Sequence, residues 1–312
     1  MTASPTSATT GSITATGPFH AGEIEAQQRA GGGAAGGAIR SAMPEPHRRF
    51  FAALPFVVVA TCDDGWPVAT LWTGAPGFVA APDPRTLRIA VALDPGDPAS
   101  RGFLAGAPLG LLGIELATRR RNRANGAIAS VDHHGLTVAI HQSFGNCPQY
   151  IRPRELASAP LHPAATEQLA GLDRAAAAAI AAADTFFVAT AARTAEPTGG
   201  VDVSHRGGPP GFVAVAGDTL TIPDFAGNRY FNTLGNLVTE PRAALVFVDF
   251  ARGDLLHLQG AAEILWSGPE AGALDGAERL WRVHVERGWR RRGVFALREQ
   301  SAGDAVAAGR RG

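Results

Sequence analysis

The sequence predicts a mainly β protein made of two tandem copies of one domain, and three observations predict it. The run TGAPGFV, which contains Gly77, returns 134 positions later as GGPPGFV, which contains Gly211. Both halves hold short apolar runs separated by Gly, Pro and Asp turns, a pattern typical of antiparallel strands. The length of 312 residues leaves room for two domains, each with its own core.

The repeat extends beyond this motif. At the same spacing Glu115 falls on Asp249. The triplet VAT at 59–61 echoes a second VAT at 188–190, which is followed by a longer loop. A repeat of this length is a whole domain rather than a solenoid unit. Differences between the two copies therefore indicate where function resides.

The first copy follows a polar stretch and a flexible connector. Residues 18–30 predict a short helix, the glycine-rich run 31–38 a connector, and 45–53 a second helix with proline in its first turn. Seven β-type runs come next: PFVVVAT, PVATLWT, FVAA, LRIAVAL, LGLLGIEL, GAIASV and LTVAIHQ. Their lengths and turns favour an antiparallel barrel or a sandwich.

Between the copies the composition becomes alanine-rich, and residues 161–184 predict a helical linker in which Asp173 caps a helix. The second copy repeats the β pattern with TFFVATA, VDVSH, GFVAVA, TLTIP, AALVFVDF and LLHLQGAAEILW, interrupted by a helix at 228–239. The predicted regions are a flexible N-terminal region with a short helix (1–38), a first domain (39–160), the linker (161–184), a second domain (185–300) and a disordered tail (301–312).

Composition excludes several classes of function. Basic and acidic residues balance at 28 each, so no electrostatic attraction to nucleic acid is expected, and the C-terminal arginines are interpreted as a solvated face. No apolar run reaches the roughly 18–20 residues of a membrane helix. Cys62 and Cys147 lie far apart, so neither a disulfide framework nor a metal site is predicted. The N-terminus lacks a signal-peptide pattern, and we expect a cytoplasmic protein whose partners include neither nucleic acid nor membrane.

The copies differ most around the helix of the second copy, which has amide and hydroxyl side chains where the first copy has proline, alanine and glycine. A helix N-terminus presents free N–H groups and favours phosphate, and a nearby arginine would add charge. The alternative is that the first asparagine caps the helix and the other two are solvated. The candidate phosphate-site residues are Asn228, Arg229, Asn232, Thr233, Asn236 and Arg206.

Two further polar clusters lie in the second copy. Strand alternation in VDVSHRGG places Ser204 and His205 on opposite faces, next to glycines that let a ligand approach. The alternative is a polar hairpin end. In LLHLQG, His257 and Gln259 share a face that either meets solvent or lines a pocket.

The first copy has two polar clusters of its own. In TRRRNRANG, alternation places Arg119, Arg121, Arg123 and Asn125 on one face. That face either clamps an anion bound to the other copy or forms a solvated turn. Cys147 in QSFGNCPQYI has no nearby base and is interpreted as structural.

These stretches resemble the pyridoxamine 5′-phosphate oxidase-like family of FMN-binding split β-barrels, and within it a group with two barrels in one chain. The similar runs are FHAGEIEAQQRAG, TGAPGFVAAPDPRTLRI, TRRRNRANG, QSFGNCPQYI, DVSHRGGPPGFV, DFAGNRYFNTLGN and RGDLLHLQGAAEI. The resemblance implies six-stranded antiparallel barrels that pair, with FMN in the groove between them. The resemblance also implies a Ser-Arg-Lys run that holds the FMN phosphate. In this chain the run falls on Phe231, Asn232 and Thr233, so its basic pair, Arg and Lys, is missing. The resemblance further implies a glutamine that contacts the flavin ring, and the similar stretch of this chain holds His257 or Gln259 at that position.

Two hypotheses of function follow. In the first, the protein is an FMN-dependent oxidoreductase of unknown substrate and electron donor, with Ser204, His205, Arg206 and His257 as contacts to the ring or the substrate. No acid or base is assigned. In the second, it is a non-catalytic carrier of flavin or of haem, and His257 or His284 would be the axial ligand of haem. The walls of the site come from the barrel pair within one chain or from a homodimer.

Overall fold

The structure is a computed structural model that describes residues 17–162, 165–193, 198–268 and 276–300. The tail expected at 301–312 and the first 16 residues of the predicted N-terminal region lie outside these ranges. Within them the protein is mainly β, as predicted, with two large antiparallel sheets, one two-stranded sheet and four α-helices. None of the helices in the described ranges is both long and apolar enough to cross a membrane.

The first half begins with two helices and continues with a seven-stranded sheet that we name the first barrel. Its elements are α1 (Ala21–Arg29), α2 (Glu45–Ala53), β1 (Phe56–Asp63), β2 (Trp66–Thr73), β3 (Val79–Asp83), β4 (Thr86–Ile89), the 3₁₀ helix η1 (Pro98–Gly102), β5 (Pro108–Glu115), β6 (Arg120–Asp132) and β7 (Gly135–Gly145).

The second half holds the other large sheet, which we name the second barrel. The elements are β8 (Leu156–Ser158), β9 (Glu167–Leu169), α3 (Arg174–Ala182), β10 (Thr185–Ala192), β11 (Gly200–Gly207), β12 (Ala214–Ala216), β13 (Thr219–Phe225), α4 (Asn232–Thr239), β14 (Arg242–Asp249), β15 (Asp254–Leu265), β16 (Ala277–Arg291) and β17 (Leu297–Glu299). Strand β17 pairs with β8, and β9 pairs with β16.

Both barrels follow one topology. The strand order is β2-β1-β5-β6-β7-β4-β3 in the first and β11-β10-β14-β15-β16-β13-β12 in the second, so each of the seven strands has a counterpart at the same place. The registers agree as well, since Val59 pairs with Thr70 and Val188 pairs with Ser204. The two halves therefore repeat each other in fold, as the sequence predicts, but η1 stands where the second barrel has α4.

The central strands are buried on both faces, because each barrel packs against the other as well as around its own core. On β1, Val57 and Val59 belong to the core of the first barrel, and Val58 belongs to a core shared by both barrels. On β10, Phe186 packs inside the second barrel and Phe187 packs in the shared core. This arrangement explains why runs such as PFVVVAT are continuously apolar instead of alternating with polar residues.

Two predicted helices are shorter than expected. The helix expected from residue 228 begins at Asn232, because Arg229 and Phe231 adopt left-handed backbone conformations with φ of 56° and 61°. Asn228 therefore does not cap it. In the predicted linker 161–184 the helix is confined to α3, where Asp173 accepts a hydrogen bond of 2.6 Å from the backbone N–H of Ala176.

Helix α1 packs against α4 at a pair of glycines. A Cβ added to Gly22 would lie 2.4 Å from the carbonyl oxygen of Gly235, so the two helix backbones are in contact. His20 Nε2 lies 2.8 Å from Asn236 Oδ1, which joins the start of α1 to the middle of α4. The N-terminal helix is therefore part of the second barrel's packing rather than a free appendage.

A buried carboxyl group lies at this helix contact. Glu23 on α1 is 3% exposed and accepts a hydrogen bond from Asn232 Nδ2. Burial, assisted by the negative charge of Asp202, raises the pKa of Glu23 from 4.5 to about 8. The group therefore carries a proton at neutral pH.

Glu23→Gln tests this protonation state. Between about pH 4.5 and about pH 8 the folded state holds a proton that the unfolded chain has released, so the free energy of unfolding falls as the pH rises through this window. Gln cannot ionise. We expect the stability of the variant relative to wild type to increase with pH in this window, by at most about 1.4 kcal/mol per pH unit. Urea titrations at the two ends of the window measure it, and a pH-independent difference would contradict the buried proton.

Gly110→Ala tests the close approach of the barrels. A Cβ at Gly110 on β5 would lie 2.5 Å from the carbonyl oxygen of Val201 on β11, so the added methyl group forces the shared core apart. We expect a loss of roughly 1–3 kcal/mol in the free energy of unfolding by urea. Gly37→Ala is the control, because no atom lies within 4 Å of its added Cβ. Equal stability of the two variants would show that the barrels do not constrain each other here.

Candidate functional site

A cleft lies at one junction of the two barrels. The second barrel contributes β11, the end of β13 and the start of α4, and the first barrel contributes β6 and the loop 146–150. Seven of the ten predicted site residues line it: Ser204, His205, Arg206, Asn228, Arg229, Asn232 and Thr233. Asn236, His257 and Gln259 do not line it.

The first barrel reaches into this cleft through alternate residues of β6. Arg123 is 6% exposed, and its Nη1 donates to Asp202 Oδ1 at 3.2 Å and to Asn232 Oδ1 at 3.1 Å, while its Nη2 donates to Ser204 Oγ. The side chain thereby joins β6 to β11 and to the first turn of α4. On β6 the arginine-rich motif faces the other copy rather than solvent, which contradicts the solvated turn, and the anion clamp stays a prediction. Arg119 is an exception, because it lies in the exposed turn before β6.

Arg121 brings a positive charge that no carboxylate offsets. Its Nε donates to the carbonyl oxygen of Cys147 at 2.8 Å, and its Nη1 donates to His205 Nδ1 at 3.1 Å. No Asp or Glu of the described residues forms an ion pair with it. Burial lowers the pKa of Arg121 to about 9, with the charge of Arg123 as a smaller cause. The guanidinium is still charged at neutral pH, so this wall of the cleft attracts an anion.

The start of α4 faces these arginines. Its N-cap residue, Phe231, is in the left-handed region and provides no side-chain hydrogen bond to the first turn. Thr233 Oγ1 lies 2.9 Å from Ser204 Oγ, so two hydroxyl groups lie side by side next to Arg123. An uncapped helix N-terminus with hydroxyl and guanidinium groups around it is the donor set that binds phosphate in proteins.

His205 is a neutral imidazole in the wall of the cleft. Burial, and the positive charges of Arg121 and Arg206, hold its pKa well below 6.5. Because Arg121 donates to Nδ1, the ring proton is on Nε2, and that nitrogen has no hydrogen-bond partner. Arg123 Nε and Arg206 Nε are also buried without a partner. Three unmatched donors in one cleft suit a ligand rich in acceptor oxygens.

Backbone strain is concentrated in the same place. In the described ranges, five residues other than glycine have φ between 47° and 65°, and three of them line the cleft: Tyr150, Arg229 and Phe231. Such conformations cost free energy and persist where the surrounding structure holds them. Their clustering supports the assignment of this cleft as the functional site.

The two arginines predicted for the phosphate site, Arg206 and Arg229, have partners within the protein. Arg229 donates to the carbonyl oxygens of Ala30 and Gly32, and ties the loop before α4 to the end of α1. Arg206 lies 3.6 Å from a carboxylate oxygen of Asp224. Both residues nevertheless line the cleft, and Arg121 and Arg123 of the first barrel add further positive charge to it.

The three remaining candidates lie outside the cleft. Asn236 is a fully buried residue of α4, and its side-chain amide donates to Asp202 and to the carbonyl oxygen of Thr190. His257 Nδ1 donates to the carbonyl oxygen of Ala69 at 3.0 Å. Gln259 likewise donates to the carbonyl oxygen of Pro67, and both therefore bind β2 of the first barrel. The exposed His284, proposed with His257 as an axial ligand of haem, is on β16 and does not line the cleft either.

Sequence reasoning did not select Asn146, Tyr150 and Phe225, which also line the cleft. Asn146 Oδ1 accepts a hydrogen bond of 3.2 Å from Asn228 Nδ2, which links the loop of the first barrel to the second barrel. Tyr150, 44% exposed, packs on Phe225 with ring centroids 5.1 Å apart. The polar run QSFGNCPQYI was the available signal for Asn146 and Tyr150.

Residues 172–299 match the family model described as pyridoxamine 5′-phosphate oxidase. No curated protein sequence matches the chain. Among solved structures, HupZ from Group A Streptococcus has a TM-score of 0.31 at 18% identity, over 38% of this chain and 91% of HupZ. An FAD-binding protein from Mesorhizobium loti has a TM-score of 0.29 at 12% identity, over 41% of this chain and 97% of that protein. A third structure is a Clostridium acetobutylicum protein related to general stress protein 26, of the pyridoxinephosphate oxidase family. Its TM-score is 0.26 at 12% identity, over 41% of this chain and 92% of that protein. Similarity at this level carries no argument about function.

The family match covers the second barrel, including α4 and the cleft-lining part of β11. The first barrel repeats the same strand order without a match of its own. The match therefore identifies residues 172–299, the second barrel, as a split β-barrel of the pyridoxamine 5′-phosphate oxidase type.

Proposed function

We propose that the chain binds a phosphorylated flavin, with FMN as the first candidate, in the cleft between its two barrels, and that it acts as a flavin-dependent oxidoreductase. The observation that carries the proposal is the meeting of Arg121 and Arg123 of the first barrel with the uncapped start of α4. The family match of the second barrel supports the same cofactor class. The substrate and the electron donor are left unassigned.

The residues present fit a phosphate group. Ser204 and Thr233 form a hydroxyl pair in which one hydroxyl donates to the other and the second is free to donate to a ligand, and Arg123 donates to Ser204. Arg121 supplies the charge that lacks a carboxylate partner. A phosphate would satisfy the helix N-terminus and offset this charge together.

The same arrangement accounts for the missing basic pair of the family. Phe231, Asn232 and Thr233 stand where the family resemblance implies a Ser-Arg-Lys run, and none of them is basic. In this chain the positive charge arrives from the neighbouring barrel, through Arg121 and Arg123. Because both walls belong to one polypeptide, the proposal requires no second subunit to complete the site.

The chain's own residues would bind and orient the cofactor rather than exchange protons. A bound flavin supplies hydride or single-electron transfer. His205 presents an Nε2–H donor to the ligand and has no charge to lose above pH 6.5, so it holds the ligand in position over a broad pH range. Tyr150 and Phe225 provide aromatic surface at the mouth of the cleft.

The alternative is a carrier that binds flavin or haem without turnover. The axial histidines considered for haem lie away from the cleft, so no observation favours haem. Purified protein distinguishes the cases. Flavin gives absorption bands at about 370 and 450 nm, whereas haem gives a Soret band. Loss of the flavin bands on anaerobic mixing with NADH or NADPH, or with dithionite followed by a candidate acceptor, would support redox activity. A protein that neither copurifies with flavin nor binds added FMN would contradict the proposal.

Arg121→Gln tests the source of the charge. Gln retains a polar group but loses the positive charge, and we expect FMN affinity to fall roughly ten- to a hundredfold, as for the loss of a charged hydrogen bond. Riboflavin, which lacks the phosphate, should bind both proteins equally. Isothermal titration with both ligands measures this.

Arg119→Gln is the matched control, because Arg119 precedes the same strand but is exposed outside the cleft. Its FMN affinity should equal that of wild type. An equal loss for both variants, or an equal loss of riboflavin and FMN affinity in Arg121→Gln, would show that Arg121 does not bind the phosphate.

A further inference from the structure

We infer that each chain binds one flavin rather than two, because the protein's own side chains close the second, equivalent junction between the barrels. The inference rests on the proposed function, since it takes the cleft as the flavin site.

The strand pairing defines the equivalent junction. Leu112 pairs with Arg123 on β6, and at the same place in the second barrel Val246 pairs with His257 on β15. Arg123 in turn pairs with Phe144, as His257 pairs with Trp289. The equivalent positions, cleft residue first, are Ser204 and Thr70, Thr233 and Ala99, Arg121 and Leu255, Arg123 and His257, Phe144 and Trp289, and Asn146 and Arg291.

The arginines of the cleft have uncharged counterparts at this junction. Leu255 stands in the place of Arg121, and His257 stands in the place of Arg123. Burial lowers the pKa of His257 to about 4, so its imidazole is neutral at physiological pH. The strand that supplies two positive charges to the cleft therefore supplies none here.

A carboxylate already occupies the anion position. Asp97, 3% exposed, is the N-cap of η1 and accepts hydrogen bonds from Ala99 N at 3.0 Å and from Thr70 Oγ1 at 2.7 Å. Arg291 Nη1 donates to the same carboxylate at 2.9 Å and also reaches Asp94. The helix start is capped and the arginine is neutralised, so an incoming phosphate would meet like charge.

Aromatic rings fill the remaining space. His257 stacks on Trp289 with ring centroids 4.7 Å apart and an angle of 10°, where the cleft has Arg123 over Phe144 at 5.5 Å. Buried polar atoms without a partner occur here as well, namely the donors Trp289 Nε1 and Arg291 Nε and the acceptor His257 Nε2. What separates the two junctions is therefore their charge balance rather than their hydrogen bonding.

The stoichiometry of binding tests the inference. Flavin-free chain titrated with FMN, by isothermal titration and by absorbance after desalting, should bind one FMN per chain. Two FMN molecules per chain would overturn the inference and leave the proposed function intact. No binding at all would overturn the proposed function, and the inference with it.

Matched variants locate the occupied junction. Ser204→Ala should weaken FMN binding roughly three- to tenfold, as for the loss of a neutral hydrogen bond. Thr70→Ala, the same kind of change at the equivalent position, should leave the affinity and stoichiometry for FMN unchanged. Near-ultraviolet circular dichroism confirms that both variants are folded. Weaker FMN binding by folded Thr70→Ala, or unchanged binding by folded Ser204→Ala, would overturn the assignment.

Discussion

The packing of the two barrels on a shared apolar core is the constraint on which the rest of the structure depends. Strands β1, β2 and β5 of one barrel and β10 and β14 of the other bury one face in this core and the other face in their own barrel, and β11 adds Val201 and Val203 to the shared core. The contact is close enough that Gly110 has no room for a Cβ beside Val201. Because the barrels share one topology and meet through the same strands, the contact creates two equivalent junctions. Their different contents make the molecule asymmetric.

That asymmetry is electrostatic. At the cleft, Arg121 and Arg123 of β6 face an uncapped helix, and Asp202 offsets only part of their charge. At the other junction, Asp97 caps η1 and Arg291 neutralises it. A buried charge without a partner is costly, and a site that retains one gains free energy when an anion arrives. Charge balance, more than shape, therefore distinguishes a binding site from a structural contact in this pair.

The N-terminal segment supports the cleft from behind. Helix α1 packs on α4 through Gly22 and Gly235, and the protonated carboxyl group of Glu23 accepts a hydrogen bond from Asn232. Asn232 is also bound to Arg123, so one short chain of hydrogen bonds runs from α1 to the first barrel. The first turn of α4 is thereby held from both sides, which keeps the donors of the cleft in position before any ligand binds.

The sequence by itself determined the repeat, most strands of the two barrels, the helix at 45–53 and the shared faces of Arg121 with Arg123 and of His257 with Gln259, because these follow from local pattern and spacing. It also placed seven candidate residues that the structure brings to one cleft. Only the tertiary structure decided which neighbour each face meets. Arg121 and Arg123 reach the other barrel, whereas His257 and Gln259, on an equivalent strand, bind backbone at the closed junction. Alternation assigns a residue to a face, but the surface opposite that face is set by long-range packing, which local sequence does not encode.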